Sequence, residues 1–547
     1  MSTKEDIRVK VAFGGGTLVQ IRSNISTMLK SGVIFEIYPK SFFAGNGGRQ
    51  GDLKGIIEKL DYLKWLGVQN LWLPPIYPSP MKDGGYDVTN YYGIHPDFGT
   101  LAEFDEVVAE ADKRGIGIIM DLVVNHTSTE HEWFREALTR PRSPFRDRYI
   151  FRSGRADGTP PNNQISVFGG SVWEPVPGEP GTYYYHTFAK EQPDLNFYNP
   201  AVSAELGRIM RYWLDRGVKG IRVDAVHFVG KNPDLDEPVN LEWDGANDYS
   251  KLHHPHVQFQ PKMYEFMNGL CGIAAEYGDR IVVFEATPLV GTDLGIYHRI
   301  YDALDRSVGA PFHFGLFFVD WSAESVKNHV ESFLKGLARD AVPVWNVSNH
   351  DQPRVASRIG QGQSKIAMAL MLTLPGIPTL YYGDEIGMEN GWVDESAADD
   401  PRKNDFPRDI ARTPMQWSSA KHAGFTSSDS SWIRPNDDFT SRNVEAQLQD
   451  PASMLNFTKQ LIYLRKDNPV LELGRYYPLN SGSDGVYMFA RHLEERWVTV
   501  ILNFTNEPKT VRIPRRTPKL LFSQRKSIDQ RSKGLVLRPN EVVLFTN

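Results

Sequence analysis

Short apolar runs recur along this chain, and each gives way to a segment whose apolar residues step by three and four. The runs are VIFEIYP from Val33, VQNLWLPP from Val68, IGIIMDLVVNH from Ile116, VKGIRVDAV from Val218, RIVVFEA from Arg280, APFHFGLFFVD from Ala310, AVPVWNVSNHD from Ala341 and IPTLYYGDE from Ile377. Near-continuous apolar runs of this length predict strands buried on both faces, as in a parallel sheet. Between them, GDLKGIIEKLDYLKWLG places Leu53, Ile56, Ile57, Leu60, Leu63 and Leu66 on one helical stripe. LAEFDEVVAEADKRG, NPAVSAELGRIMRYWLDRG and AESVKNHVESFLKGLARD follow the same period, and Gly115 and Gly217 supply stops. Eight strand–helix alternations with polar residues at successive strand ends predict an α/β protein on a (β/α)8 TIM barrel rather than a doubly wound sheet.

The alternation is interrupted in two places. Residues 127–194 are too long for a loop and rich in Pro, Gly, Asn and aromatics, which predicts an inserted subdomain after the third strand. A second excursion, about 388–450, follows the eighth strand. The barrel with its insertions spans 28–465. From 466 to 547 the period changes to two (GVYMFARHL, RWVTVILNF, KTVRIP, EVVLFTN), predicting a small C-terminal antiparallel β domain. Residues 1–27 form an N-terminal extension, where Gly14, Gly15 and Gly16 read as a turn or tail.

Composition narrows the class. A formal charge of −6 from 61 basic and 67 acidic residues gives no reason to expect nucleic acid or an anionic membrane surface as partner. Cys271 stands alone, so no intramolecular disulfide framework exists, which fits a reducing cytoplasm. The N-terminus lacks an apolar signal core and no run is long enough to span a bilayer. Nothing in the residues sets an oligomeric state.

The chemistry is legible at the strand ends. In GVKGIRVDAVHF, Arg222 and Asp224 lie two residues apart on one face of a buried strand. A charge buried there without a partner would cost several kcal/mol, on the order of 3–5, so each needs company or a task. Asp121, Asp224, Glu285 and Asp351 all end apolar runs, with His126, His350 and Arg222 beside them. In a barrel these ends converge at the carboxyl face, where active sites lie.

DLVVNH, GIRVDAV, the Glu of VVFEA and VSNHDQPR resemble the four ordered motifs of the α-amylase superfamily of retaining glycoside hydrolases. QPDLNF, LPGIPTLYYGDEIGM, ARTPMQW and NVEAQLQDPASMLNF resemble its α-glucosidase and oligo-1,6-glucosidase branch, which acts on short α-glucosides. The resemblance implies Asp224 as nucleophile, Glu285 as acid/base and Asp351 as the acid that grips sugar hydroxyls. It further implies that Arg222 orients Asp224, with Asp121 as the pairing partner of Arg222, and that His126 and His350 contact the same glucosyl unit. Asp83 and Tyr86, in a D-x-G-Y element, would close the far end of the first sugar, with Arg408 gripping Asp83 in preference to Arg412. Phe168, Phe188 and Gln192 would form pocket wall from the inserted subdomain. One departure is Phe284, which precedes the acid where the family usually has Gly. In this branch a valine directly after the nucleophile accompanies α-1,6 preference and smaller residues accompany α-1,4, so Ala225 implies α-1,4.

The resemblance therefore implies an exo-acting α-glucosidase on maltose-like oligosaccharides or sucrose, needing no cofactor. A glucosyl transferase or isomerase on the same scaffold is the alternative, although the arginine-rich run of sucrose isomerases is replaced here by FVDWSAESVKNH. A non-catalytic relative should lack acids that this chain has. Relatives often bind calcium or magnesium at a loop after the first strand; here AGNGGRQGD (44–52) keeps only Asn46 and Asp52 as ligand types, with Arg49 among them. Hard cations need about six oxygen ligands, so no metal is expected. The His253, His254 and His256 cluster reads as a surface loop rather than a transition-metal site.

Overall fold

The computed structural model describes residues 32–245, 247–287, 293–394, 400–401, 407–513, 519–524, 529–531 and 534–547. The N-terminal extension expected at 1–27 lies outside these residues.

Eight parallel strands close into a barrel: Ile34–Glu36, Asn70–Leu73, Gly117–Val123, Gly220–Asp224, Ile281–Phe284, Gly309–His313, Val344–Asn346 and Ile377–Tyr381. Seven fall within the apolar runs, and the sixth begins one residue before its run, at Gly309. The first strand pairs with the second and the eighth, Ile34 opposing Asn70 and Thr379, which closes the ring. Helices follow in turn. Leu53–Leu66 buries Leu53, Ile56, Leu60, Leu63 and Leu66 completely, while Ile57 packs at the edge. Asp52 caps its start by accepting from the Gly55 amide, and Gly67 ends it at φ +98°, a left-handed conformation that glycine adopts without strain. Leu101–Lys113 opens with a reciprocal Thr100–Glu103 capping box.

The segment after the third strand carries a short antiparallel sheet in the order Phe151–Ser153, Thr182–Tyr185, Trp173–Pro175. A polar network joins the apolar packing in its attachment. Lys231, only 3% exposed, donates to Asn125 Oδ1 at 2.6 Å and to Asp194, while Asn125 Nδ2 donates to Asp194 Oδ1 at 3.0 Å. The DLVVNH and QPDLNF motifs are thus tied together by a buried, fully paired network.

The C-terminal region forms a five-stranded sheet and a three-stranded sheet. Val486–Leu493, Arg496–Asn503, Lys509–Val511 and Val542–Thr546 coincide with the segments of period two. Arg475–Leu479, Lys519–Ser523 and Gly534–Leu537 did not stand out in the sequence. The first two lie at the edges of their sheet and bury none of their residues, so they lack the alternation that marks a half-buried strand.

Candidate active site

The third and fourth barrel strands pair with Asp121 directly opposite Arg222, which sets two charges side by side inside the barrel. Arg222 is 1% exposed, and its partners explain how a charged strand interior is possible. Nη1 donates to both oxygens of Asp121, at 3.0 and 2.9 Å, and to Asp224 Oδ1 at 2.7 Å. Nη2 donates to Glu285 Oε2 at 2.7 Å. One planar guanidinium therefore serves acids from the third, fourth and fifth strands, a task that needs the fork of arginine and not the point charge of lysine. Burial pushes the Asp224 carboxyl well above the usual carboxylate range against the pull of Arg222, with Glu285 and Asp121 adding to the rise. Burial likewise pushes Asp121 up to about 6. Three acids around one cation favour retention of a proton within the cluster.

The backbone turns sharply after Asp224. Ala225 lies in the left-handed region at φ +42° and ψ +35°, which aims its N–H at Glu285 Oε2, 3.0 Å away. The Val226 amide donates to the Glu285 carbonyl at 3.2 Å. Phe284, the residue that departs from the usual glycine, is fully buried in the core, and Glu285 beside it lines the pocket.

An ion-pair cluster forms another part of the pocket wall. Arg408 Nη2 donates to Asp83 Oδ1 at 2.5 Å and to Asp400 Oδ1 at 2.8 Å, and Nη1 donates to Asp351 Oδ1 at 3.1 Å. Gln192 Nε2 holds the other Asp83 oxygen at 2.9 Å. Arg412 also reaches the site: Nη2 donates to Asp351 Oδ1 at 3.2 Å and Nε to the His350 carbonyl at 2.8 Å. Tyr86 stacks on His350 with centroids 5.6 Å apart and planes 5° from parallel. Burial lowers His126 to about 4, leaving it neutral near pH 7.

Ten of the thirteen residues anticipated from sequence line one cavity of about 300 Å³: Asp83, Tyr86, His126, Phe168, Phe188, Asp224, Ala225, Glu285, Asp351 and Arg408. Gln192, Arg222 and His350 are at most 1% exposed and stand behind that wall, holding its members. Several residues escaped the sequence reading. Glu36, at the end of the first strand, contacts His350; it carried a signal, an acid inside the apolar run VIFEIYP. Asp400 lay in a long excursion without period. Phe228, Tyr249, Phe314, Phe317 and Phe318 also line the pocket, and in sequence they are indistinguishable from core aromatics.

The loop at 44–52 is committed to the backbone. Asp52 accepts from the amides of Gly45, Asn46 and Gly55 at 3.1, 2.9 and 2.7 Å, and Arg49 Nη2 donates to the Ser431 carbonyl at 3.4 Å. We expect activity and melting temperature to be indifferent to chelator and to added calcium. A melting temperature lower by several degrees in chelator would reveal a structural ion. Of the histidine cluster, His254 stacks on Tyr249 at 3.6 Å and hydrogen-bonds its carbonyl, and His253 is exposed.

The model of the α-amylase catalytic domain matches residues 36–474. The chain belongs to the α-amylase family. It is 36% identical to an oligo-1,6-glucosidase of Parageobacillus thermoglucosidasius over 568 residues, covering 94% of this chain and 98% of that protein. A trehalose-6-phosphate hydrolase of Escherichia coli (strain K12) is 38% identical over 516 residues, covering 87% and 91%. Among solved structures, the α-glucosyl transfer enzyme XgtA superposes with a TM-score of 0.88 at 32% identity, over 94% of this chain and 98% of that one. This member of the α-amylase family is a glycoside hydrolase. Among its described residues no helix is long and apolar enough to cross a membrane.

Proposed function

We propose that the protein is a retaining, exo-acting α-glucosidase that removes terminal glucose from maltose-like oligosaccharides or sucrose. The observation that carries this reading is the buried ion-pair cluster in the pocket wall. The Arg408–Asp83 pair, with Asp83 5% and Arg408 4% exposed and Asp351 and Gln192 attached, would stand in the way of sugars beyond the terminal one. Asp224 attacks the anomeric carbon while Glu285 protonates the departing oxygen; Glu285 then deprotonates the water that releases glucose from Asp224. Arg222 keeps both carboxyl groups in place and offsets charge on Asp224 as its bond to the sugar breaks. Asp351, between two guanidinium groups, is held to accept hydroxyl hydrogen bonds.

A phosphorylated substrate fits less well. Among the described residues Arg408 is the one Lys or Arg lining the cavity, and it is engaged with Asp83, Asp400 and Asp351. Transfer is the second reading, favoured by the five further aromatics, which offer an acceptor sugar stacking faces in competition with water. Product analysis on maltose, isomaltose, sucrose, trehalose and trehalose 6-phosphate tests these readings together. Release of free glucose from maltose supports the first; oligosaccharide products dominating at low substrate would replace it with the second.

Linkage preference is assigned to Ala225, buried against Phe228 and Tyr249 beside the scissile bond. An α-1,4-linked second sugar lies closer to this wall than an α-1,6-linked one, which has an extra rotatable bond. The wild type is expected to prefer maltose over isomaltose. Ala225→Val should shift the maltose-to-isomaltose ratio of kcat/KM by about 1–3 kcal/mol. A β-branched residue at φ +42° also strains the backbone, a cost shared by both substrates, so the ratio is the quantity to measure. Ala225→Gly, free of that strain, should not lower the ratio. A valine variant that loses both substrates in equal proportion would remove Ala225 from the assignment.

A further inference from the structure

Glu36 ends the first barrel strand, is fully buried, and is used by none of the steps above. Its Oε1 lies 2.5 Å from His350 Nδ1 and 3.3 Å from the His350 amide nitrogen, while Oε2 is buried without a protein partner. On the other side of the ring, His350 Nε2 lies 2.8 Å from the Tyr86 hydroxyl and 3.3 Å from Asp351 Oδ2. Tyr86 and Asp351 both line the pocket.

With Asp121 and Asp351 ionised, counting donors gives the direction of this chain. The Tyr86 hydroxyl has one proton and lies 3.2 Å from the Asp121 carboxylate and 3.4 Å from Arg222 Nη1. If that proton went to His350 Nε2, two pairs of acceptors would face each other: Tyr86 against Asp121, and Nε2 against Asp351. With the proton on Nε2 instead, Tyr86 donates to Asp121 and accepts from Arg222 and His350, and Asp351 gains a donor. Every contact is then matched. Nδ1 of a neutral ring must then accept, and its neighbour is Glu36. We propose that Glu36 is a positioning residue that carries a proton and donates it to His350 Nδ1, so that His350 presents Nε2–H to Tyr86 and Asp351.

The surroundings agree. Burial raises the Glu36 carboxyl well above the ordinary range, with the charges of Asp351 and Asp384 adding to the rise and Arg222 opposing it, and Tyr381 feels the charge of Glu36 in turn. Burial lowers His350 to about 3 in company with Arg412, Arg222 and Arg408, whereas Asp351 opposes the shift, so the ring is neutral. Once Glu36 ionises at high pH, the ring proton belongs on Nδ1, facing the new carboxylate, and Asp351 loses its donor.

The inference rests on Asp351 being a sugar-gripping residue, so Asp351→Asn is measured in parallel. The assay uses α-glucosyl fluoride, whose departure needs no proton from Glu285 and whose kcat/KM therefore omits that acid step. In wild type, kcat/KM should fall at alkaline pH. Glu36→Gln, whose amide can donate to Nδ1 at any pH, should lose that alkaline fall. Glu36→Leu should lower kcat/KM about tenfold, the worth of one hydrogen bond, and Glu36→Gln should restore most of it. An unchanged alkaline fall in Glu36→Gln, or a leucine variant equal to wild type, overturns the proposal. Should Glu36→Leu fail to fold, the glutamine pH profile and neutron diffraction of the wild type decide: deuterium on Glu36 and on Nε2 supports it, and deuterium on Nδ1 alone overturns it. If Asp351→Asn is fully active, the reading of the site has failed rather than the role of Glu36.

Discussion

Asp224→Ala should abolish turnover of every glucoside, whereas Glu285→Gln should separate substrates by their leaving groups. Without the Asp224 carboxylate no glycosyl–enzyme bond can form, so maltose, sucrose and α-glucosyl fluoride all fail. Glu285→Gln keeps a hydrogen-bonding group near Arg222 Nη2 and the Ala225 amide, the two donors that hold Glu285 Oε2 at 2.7 and 3.0 Å. It loses the proton needed by a sugar leaving group, which general acid catalysis accelerates by about 10²–10⁴-fold. Maltose hydrolysis should fall on that scale. Formation of the glycosyl–enzyme from the fluoride should change little, because fluoride departs without a proton. Rapid-mixing measurement of fluoride release in the first turnover checks this. Equal loss of the fluoride reaction in both variants would remove Glu285 from the acid role.

The second large effect is expected at Arg222. Arg222→Lys retains a charge but cannot span Asp121, Asp224 and Glu285 from two nitrogens of one rigid plane. Both carboxyl groups of the reaction should lose their fixed orientation, and kcat should fall by about 10²–10³-fold, as for loss of a preorganised electrostatic donor. Arg222→Met goes further and leaves three acids, two of them buried, without this cation. Breaking a buried ion pair from one side costs about 3–5 kcal/mol, so this variant should unfold at lower temperature than the lysine variant. A lysine variant with near-normal kcat would show that charge, not geometry, is what the site takes from Arg222. A methionine variant as stable as wild type would show that the acids shed their charge at little cost.

The barrel was written in the chain because its signal is local. Alternating buried strands and striped helices, such as Leu53–Leu66 with its Asp52 cap and Gly67 stop, need no distant partner to be recognised. The acids were equally legible, since a carboxylate that ends an apolar run, as Asp121, Asp224 and Glu285 do, is out of keeping with its immediate neighbours. Much of the C-terminal region was less so. Arg475–Leu479 is paired as a strand through backbone hydrogen bonds to Val486–Leu493, although its own side chains are mostly exposed.

Tertiary structure alone decided who serves whom. That Arg222 holds three acids, and that Arg408, 325 positions beyond Asp83, pairs with it in the pocket wall, depends on contacts no local pattern encodes. So does the placing of Gln192, Arg222 and His350 behind the pocket wall, where each hydrogen-bonds a group that lines the cavity. Glu36 is the sharpest case: its acid was visible in the run VIFEIYP, but its partner His350 lies 314 residues away on the seventh strand's loop. Sequence by itself determined which residues are chemically out of place, because burial of charge is costly wherever it occurs. The hydrogen-bond partners that make such burial affordable are chosen by the closed barrel, which alone brings distant strand ends within 3 Å of one another.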